Sequence, residues 1–233
     1  MALVWILEEN FIKGGVTSWV SQCQQELPAY NWDIKAIFLT QNPELPKAPI
    51  TNAHVQYAER IEEFAPLLLE EFPAPDLILS RSVERCFYTA VHIAGLQAET
   101  RVAMICHGSR PDRIEGVIAK APFVSAVMGV SDFIVNEIRK SVFPEKVHRI
   151  RLTPRSLKAK EQNKKCRVLY CGRLTSIEKN ILAFTEIIKN CLKESDNLVF
   201  DIVGDGPEAD NLKRILLKEI NSKKVIMHGH LSW

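Results

Sequence analysis

The chain reads as an α/β protein with two doubly wound parallel sheets, the second incomplete. Three observations predict this. Short apolar runs alternate with amphipathic helical patterns from Ala2 to His228. A basic, apolar-poor segment at 153–165 interrupts the alternation once. Beyond it the same strand–helix pattern restarts. Alternation of this kind needs crossover connections, hence parallel strands with helices on the sheet faces. The expected organisation is a first domain over 1–152, a linker over 153–165 and a partial second domain over 166–233.

The elements follow in order. Residues 2–7 form the first strand, and Val16, Trp19, Val20, Cys23 and Leu27 then fall at helical spacing. Strands are expected at 34–39 and 54–58, separated by a loop marked by Pro43, Pro46 and Pro49. A helix at 61–72, a buried strand at 76–80, a helix at 83–96 and a strand at 101–107 come next. An irregular segment precedes a strand at 126–130 and a helix at 132–142, and 147–152 closes the domain. In the second half a strand at 167–171 leads to Thr175 and Glu178, which have the spacing of a capping box. One helix is expected from 177 to 193, a strand at 198–203, a helix opening near Pro207 and running to 220, and a strand at 225–228.

Composition excludes several classes. The 233 residues are 46% hydrophobic and 25% charged, as in ordinary globular proteins. The formal net charge of +2 gives no ground for a nucleic-acid partner, and no aromatic residues interleave the basic run at 153–165. Residues 2–7 are too short an apolar run to span a bilayer, and Glu8 and Glu9 follow them at once, unlike a signal peptide. The six cysteines show no CxxC pairing. They read as reduced, mostly buried thiols of a cytoplasmic protein, not as a zinc site.

Candidate chemistry sits where strands end. Arg173 and Lys179 flank the turn after the strand at 167–171. The C-terminal edge of an open α/β sheet is where ligands bind, and helix N-termini there favour anions. Cations near the positive end of a helix are unfavourable without an anion, so this pair points to phosphate. Gly172 precedes them. Gly204-Asp205-Gly206-Pro207-Glu208 follows the next strand and reads as a turn shaping the same pocket. Gly14-Gly15, between the first strand and its helix, fits a tight turn with positive φ or a close approach of backbone to ligand. His107 ends the strand at 101–107 and could exchange hydrogen bonds with a hydroxyl or cap the strand end. The other histidines have no comparable context.

Together GGVTSWV at 14–20, His107-Gly108, CGRL at 171–174, Lys179-Asn180 and GDGPE at 204–208 resemble the family 4 glycosyltransferases, retaining enzymes of GT-B fold with two Rossmann-like domains. The resemblance implies transfer of a sugar from a nucleoside-diphosphate donor to a hydroxyl acceptor, saccharide or lipid-linked, without metal or other cofactor. It implies that Arg173 and Lys179 hold the donor diphosphate, that Gly14 and Gly15 line the phosphate and acceptor site, and that His107 contacts the transferred sugar. Lys13 is a possible addition beside the glycine pair. The family has Lys-Gly where this chain has Lys179-Asn180. The family's second domain continues further and includes a pair of glutamates, so this chain alone is expected to bind donor weakly and turn over little. An edge strand at 225–228 is expected to favour self-association or a partner chain. Alternatives are a non-catalytic nucleotide- or partner-binding subunit and a nucleotide-sugar epimerase. The expected location is cytoplasmic, with peripheral attachment at the inner membrane face left open.

Overall fold

The computed structural model describes residues 1–9, 11, 14–44, 46–150 and 166–231, with Glu178 described by its backbone alone. Lys13 and the expected linker at 153–165 lie outside the described residues. The chain divides into two compact units, Met1–Arg155 and Ser156–Trp233.

The first unit carries a seven-stranded sheet. Its strands are β1 (Ala2–Glu8), β2 (Trp32–Thr40), β3 (Ala53–Tyr57), β4 (Leu77–Arg81), β5 (Arg101–Cys106), β6 (Ala126–Gly129) and β7 (Val147–Arg149). They run in the order β3-β2-β1-β4-β5-β6-β7, every pairing parallel. The order reverses direction beside β1, which is the doubly wound switch point. Alternation along β1 explains why both faces are covered. Trp5 and Leu7 enter one core with Phe64 and Leu68 of α2 (Phe64–Glu71), Ala90 and Ile93 of α3 (Glu84–Leu96), and Ile134 and Ile138 of α5 (Asp132–Arg139). Val4 and Ile6 enter the other with Val20 and Cys23 of α1 (Gly15–Glu26). Each large apolar side chain so buried contributes roughly 1.5–3 kcal/mol, and the strand period of two sends them to opposite faces.

Residues 111–120, expected to be irregular, form α4 (Pro111–Lys120). Ile114 and Val117 are buried at helical spacing, and Pro111 at its start is compatible with a first turn. Gly116 and five charged side chains in ten residues hide that stripe in the sequence.

The second unit carries a three-stranded parallel sheet in the order β10-β9-β8, from β8 (Cys166–Cys171), β9 (Leu198–Val203) and β10 (Val225–Gly229). Its core packs Val168, Phe200, Ile202 and Val225 against Ile181 and Ile188 of α7 (Ile181–Glu194) and Leu212 of α8 (Ala209–Ile215). The edge expected at 225–228 is present, and β8 is an edge as well.

Three local expectations need correction. The helix expected from 177 to 193 is broken into α6 (Ser176–Lys179) and α7 by Asn180, which adopts φ 45° and ψ 42°. The Thr175 side chain makes no capping bond. Pro207 precedes the N-cap Glu208 of α8 instead of sitting in the first turn, and Leu216 separates α8 from α9 (Leu217–Asn221). The thiols also divide: Cys23, Cys86 and Cys106 are buried, but Cys166 and Cys171 are exposed on the edge strand β8.

Candidate functional site

In the second unit the turns after β8 and β9 are fastened to each other. Gly204 and Gly206 adopt φ of 139° and 157°, a region that side chains disfavour. A Cβ on Gly204 would stand 1.9 Å from the Gly172 carbonyl oxygen, and one on Gly206 would stand 2.4 Å from that of Leu174. Only glycine permits this approach of backbone to backbone. Three hydrogen bonds accompany it: Gly172 N–H to Val203 O at 3.0 Å, Leu174 N–H to Asp205 O at 2.9 Å and Glu208 N–H to Leu174 O at 3.1 Å. The Tyr170 hydroxyl donates to the Arg173 carbonyl at 3.0 Å. Arg173 therefore sits on a turn whose backbone is held from several sides, with its residue exposed.

Sequence reading missed the lock on the other flank. Glu208 Oε1 accepts from the Ser176 hydroxyl at 2.7 Å and Oε2 from the Asn211 amide at 3.1 Å. The two bonds hold its carboxyl below the usual range, Ser176 first. They tie α6 to the first turn of α8. Lys179 ends α6 and is exposed. Asn180 then reverses the chain in the left-handed region, where asparagine is tolerated better than most residues. That conformation explains how asparagine can stand where the resembled family has glycine.

A further group went unread. Asp201, buried in β9, accepts two bonds from Arg167 at 2.8 and 2.5 Å and contacts His228 Nε2 at 2.7 Å. The Arg167 guanidinium, then His228, hold its carboxyl below the ordinary value against the opposing effect of burial. One residue from each strand joins, so the group pins the sheet register. The types at 167, 201 and 228 gave a signal only once parallel pairing aligned them.

In the first unit Gly14 is the N-cap of α1, with φ −179° and ψ −169°, an extended backbone open to any residue. The expected positive φ is absent at both Gly14 and Gly15. A Cβ on Gly15 would meet nothing within 4 Å. What the pair leaves is open space before a helix N-terminus that has no side-chain cap. The Thr17 hydroxyl instead bonds back to Gly14, accepting from its N–H at 2.8 Å and donating to its carbonyl at 2.9 Å.

His107 follows β5, and its ring meets Trp19 of α1 edge to face at 5.3 Å. Its Nε2 is buried with no hydrogen-bond partner. Burial, with Arg81 nearby, lowers its pKa to about 4. The imidazole is thus neutral near pH 7, with one ring nitrogen unmatched. Beside it at the sheet's C-terminal edge, the buried Glu8 accepts from Arg81 at 2.6 Å. The structure thus brings Gly172, Arg173, Gly204, Gly206 and Pro207 onto two adjoining turns of one unit, with Lys179 at the end of the short helix that follows. It places Gly14, Gly15 and His107 after β1 and β5 of the other.

Among the described residues, no cluster of three or more His, Cys, Asp or Glu side chains is arranged to hold a metal ion. No described helix is long and apolar enough to cross a membrane.

Residues 154–233 match the family model described as glycosyl transferases group 1. No curated protein matches the chain in sequence. Several solved structures match nearly its whole length. The apo form of the lipopolysaccharide outer core galactosyltransferase WaaB superposes with a TM-score of 0.67 at 15% identity, covering 100% of this chain and 69% of that one. The pneumococcal O-GlcNAc transferase GtfA, in complex with UDP and GlcNAc, gives 0.70 at 10% identity, covering 99% and 76%. Anabaena HepE in complex with UDP gives 0.66 at 12% identity, covering 100% and 70%. The fold is GT-B, and the second unit is a glycosyl transferases group 1 domain, which places the chain among glycosyltransferase enzymes.

Proposed function

We propose that the protein transfers a sugar from a nucleoside-diphosphate donor to a hydroxyl acceptor with retention at the anomeric carbon, without a metal. The observation that carries this reading is the glycine-only contact of Gly204 and Gly206 with the Gly172–Leu174 backbone. It fixes the turn bearing Arg173 at the C-terminal end of a parallel sheet, where a diphosphate would lie. The Arg173 guanidinium offers a planar fork to phosphate oxygens, and Lys179 adds a mobile charge.

In the reaction the bond from the anomeric carbon to the diphosphate breaks, and a bond to the acceptor oxygen forms. Negative charge grows on the leaving diphosphate. Fixed cations that meet that charge lower the barrier, because they need no reorganisation as it develops. Arg173 and Lys179 take the part that a divalent cation plays elsewhere. Gly14 and Gly15, before an uncapped helix, suit the donor phosphate and its sugar. Neutral His107, with its unmatched Nε2, suits a hydroxyl of the transferred sugar and acts as a contact, not as a base.

The UDP found with the pneumococcal and Anabaena neighbours makes a uridine diphosphate sugar the first donor to try. A transfer assay with UDP-glucose, UDP-galactose and UDP-N-acetylglucosamine, read by NMR of the anomeric proton, tests the reading. The expected product keeps the donor's α configuration and forms equally in EDTA. An inverted product, or activity lost to the chelator, would contradict it.

A further inference from the structure

A second feature of the first unit has no part in that account. A cavity of about 380 Å³ opens at the C-terminal edge of the seven-stranded sheet. Its walls come from the residue after β1, the residue after β2, the start of α3 and one face of α4. The polar lining is mixed. Glu9 and Gln41 present oxygens, and Arg85, Arg113 and Lys120 present N–H groups.

These groups are incompletely matched among themselves. The Arg85 guanidinium reaches Glu9 and the Leu39 carbonyl at 3.4 Å each, and Gln41 at 3.1 Å. Two of those distances lie at the long edge of hydrogen bonding. Arg113 comes no nearer to Asp112 than 4.0 Å, while Asp112 is held by Arg110 at 3.0 Å. Lys120 donates to a carbonyl, that of Ser82, at 2.5 Å. Burial keeps the Glu9 carboxyl above its ordinary range despite Arg85.

Gly116 supplies the second observation. It lies inside α4 and lines the cavity. A Cβ there would meet nothing within 4 Å. Glycine inside a helix costs roughly 0.5–1 kcal/mol relative to alanine, and neither backbone angle nor packing asks for it here. The missing side chain keeps the cavity open.

We infer that this cavity is a saccharide subsite, formed by Glu9, Gln41, Arg85, Arg113 and Lys120 around the gap at Gly116. Sugar hydroxyls donate and accept at once, so they match a wall that mixes carboxylate, amide and guanidinium. A free anion would face Glu9, and a cation would face three positive side chains. The volume lies at the low end of the range of ligand pockets, with room for roughly one or two sugar rings. That its occupant is the acceptor rests on the function proposed above; that it binds sugar does not.

The test uses the full chain and saturation-transfer NMR with D-glucose, D-galactose and N-acetyl-D-glucosamine at millimolar concentration. The inference expects transfer to at least one of them, abolished in Gly116→Gln, whose side chain fills the gap. It expects the same loss in Arg85→Ala, and no competition from millimolar inorganic phosphate. Alanine at 116 should raise the melting temperature, which separates the glycine's purpose from helix stability. The subsite is overturned if no sugar shows transfer, if Gly116→Gln retains it, or if phosphate displaces the sugar. UDP binding that is intact in Gly116→Gln and lost in Arg173→Ala would leave the donor reading standing whatever the sugars do.

Discussion

Acidification should destabilise the first unit through His107, by an amount the structure sets. Its pKa is lowered from 6.5 to about 4 because burial removes water from the ring and Arg81 lies nearby. The unfolded chain therefore binds a proton between those values that the folded chain does not. Stability is fully present above pH 6.5 and is lost as pH falls toward 4. Lowering the pH from 7.5 to 4.5 should cost about 2.5 kcal/mol through this one group. Neighbouring carboxyls do not blur the sign. Asp201, whose pKa is depressed, gives up its stability only below 3.8, and in the other unit. Glu9 has a raised pKa, so its protonation favours the fold and opposes the loss. The comparison of wild type with His107→Gln, which keeps a neutral polar group, cancels such contributions. Trp5, Trp19 and Trp32 all lie in the first unit and report its urea unfolding by fluorescence. The wild type should lose about 2.5 kcal/mol more than the variant between pH 7.5 and 4.5. Equal losses would show that the ring is hydrated or matched, and the argument for a neutral His107 at the site would fall.

Other perturbations have defined outcomes. Gly204→Ala sets a methyl group against the Gly172 carbonyl and parts the two turns. It should destabilise the second unit by about 3 kcal/mol, from strain and lost backbone bonds, and abolish UDP binding; unchanged melting by calorimetry would contradict the contact. Asp201→Asn leaves Arg167 and His228 without their shared carboxylate and should cost about 1–2 kcal/mol in the second unit. Chemical denaturation followed by far-UV circular dichroism would show no change if the group were mere surface pairing.

The strands were legible because parallel, doubly covered strands are nearly continuous apolar runs, and those at 2–7 and 198–203 stand out against polar helical faces. The α4 helix was not legible, because Ile114 and Val117 are its two buried residues among charges and a glycine. The break at Asn180 was hidden as well. An asparagine in the left-handed region looks like any helical residue until the backbone is seen. At the site, the glycines of 204–206 were recognised as a turn, yet their reason lies in another strand's loop. The bonds of Glu208 to Ser176 and of Asp201 to Arg167 join residues more than thirty positions apart. No periodicity encodes them. Positive φ was expected at Gly14-Gly15 from residue type alone, but the extended backbone there shows that the missing side chains matter instead.

Titration of UDP into the wild type and Arg173→Ala by isothermal calorimetry bears most directly on the diphosphate assignment. Loss of charge-assisted bonds from one guanidinium should weaken binding by about ten- to a hundredfold, and Lys179→Ala by a smaller factor. UDP affinity that is the same in wild type and Arg173→Ala would contradict it.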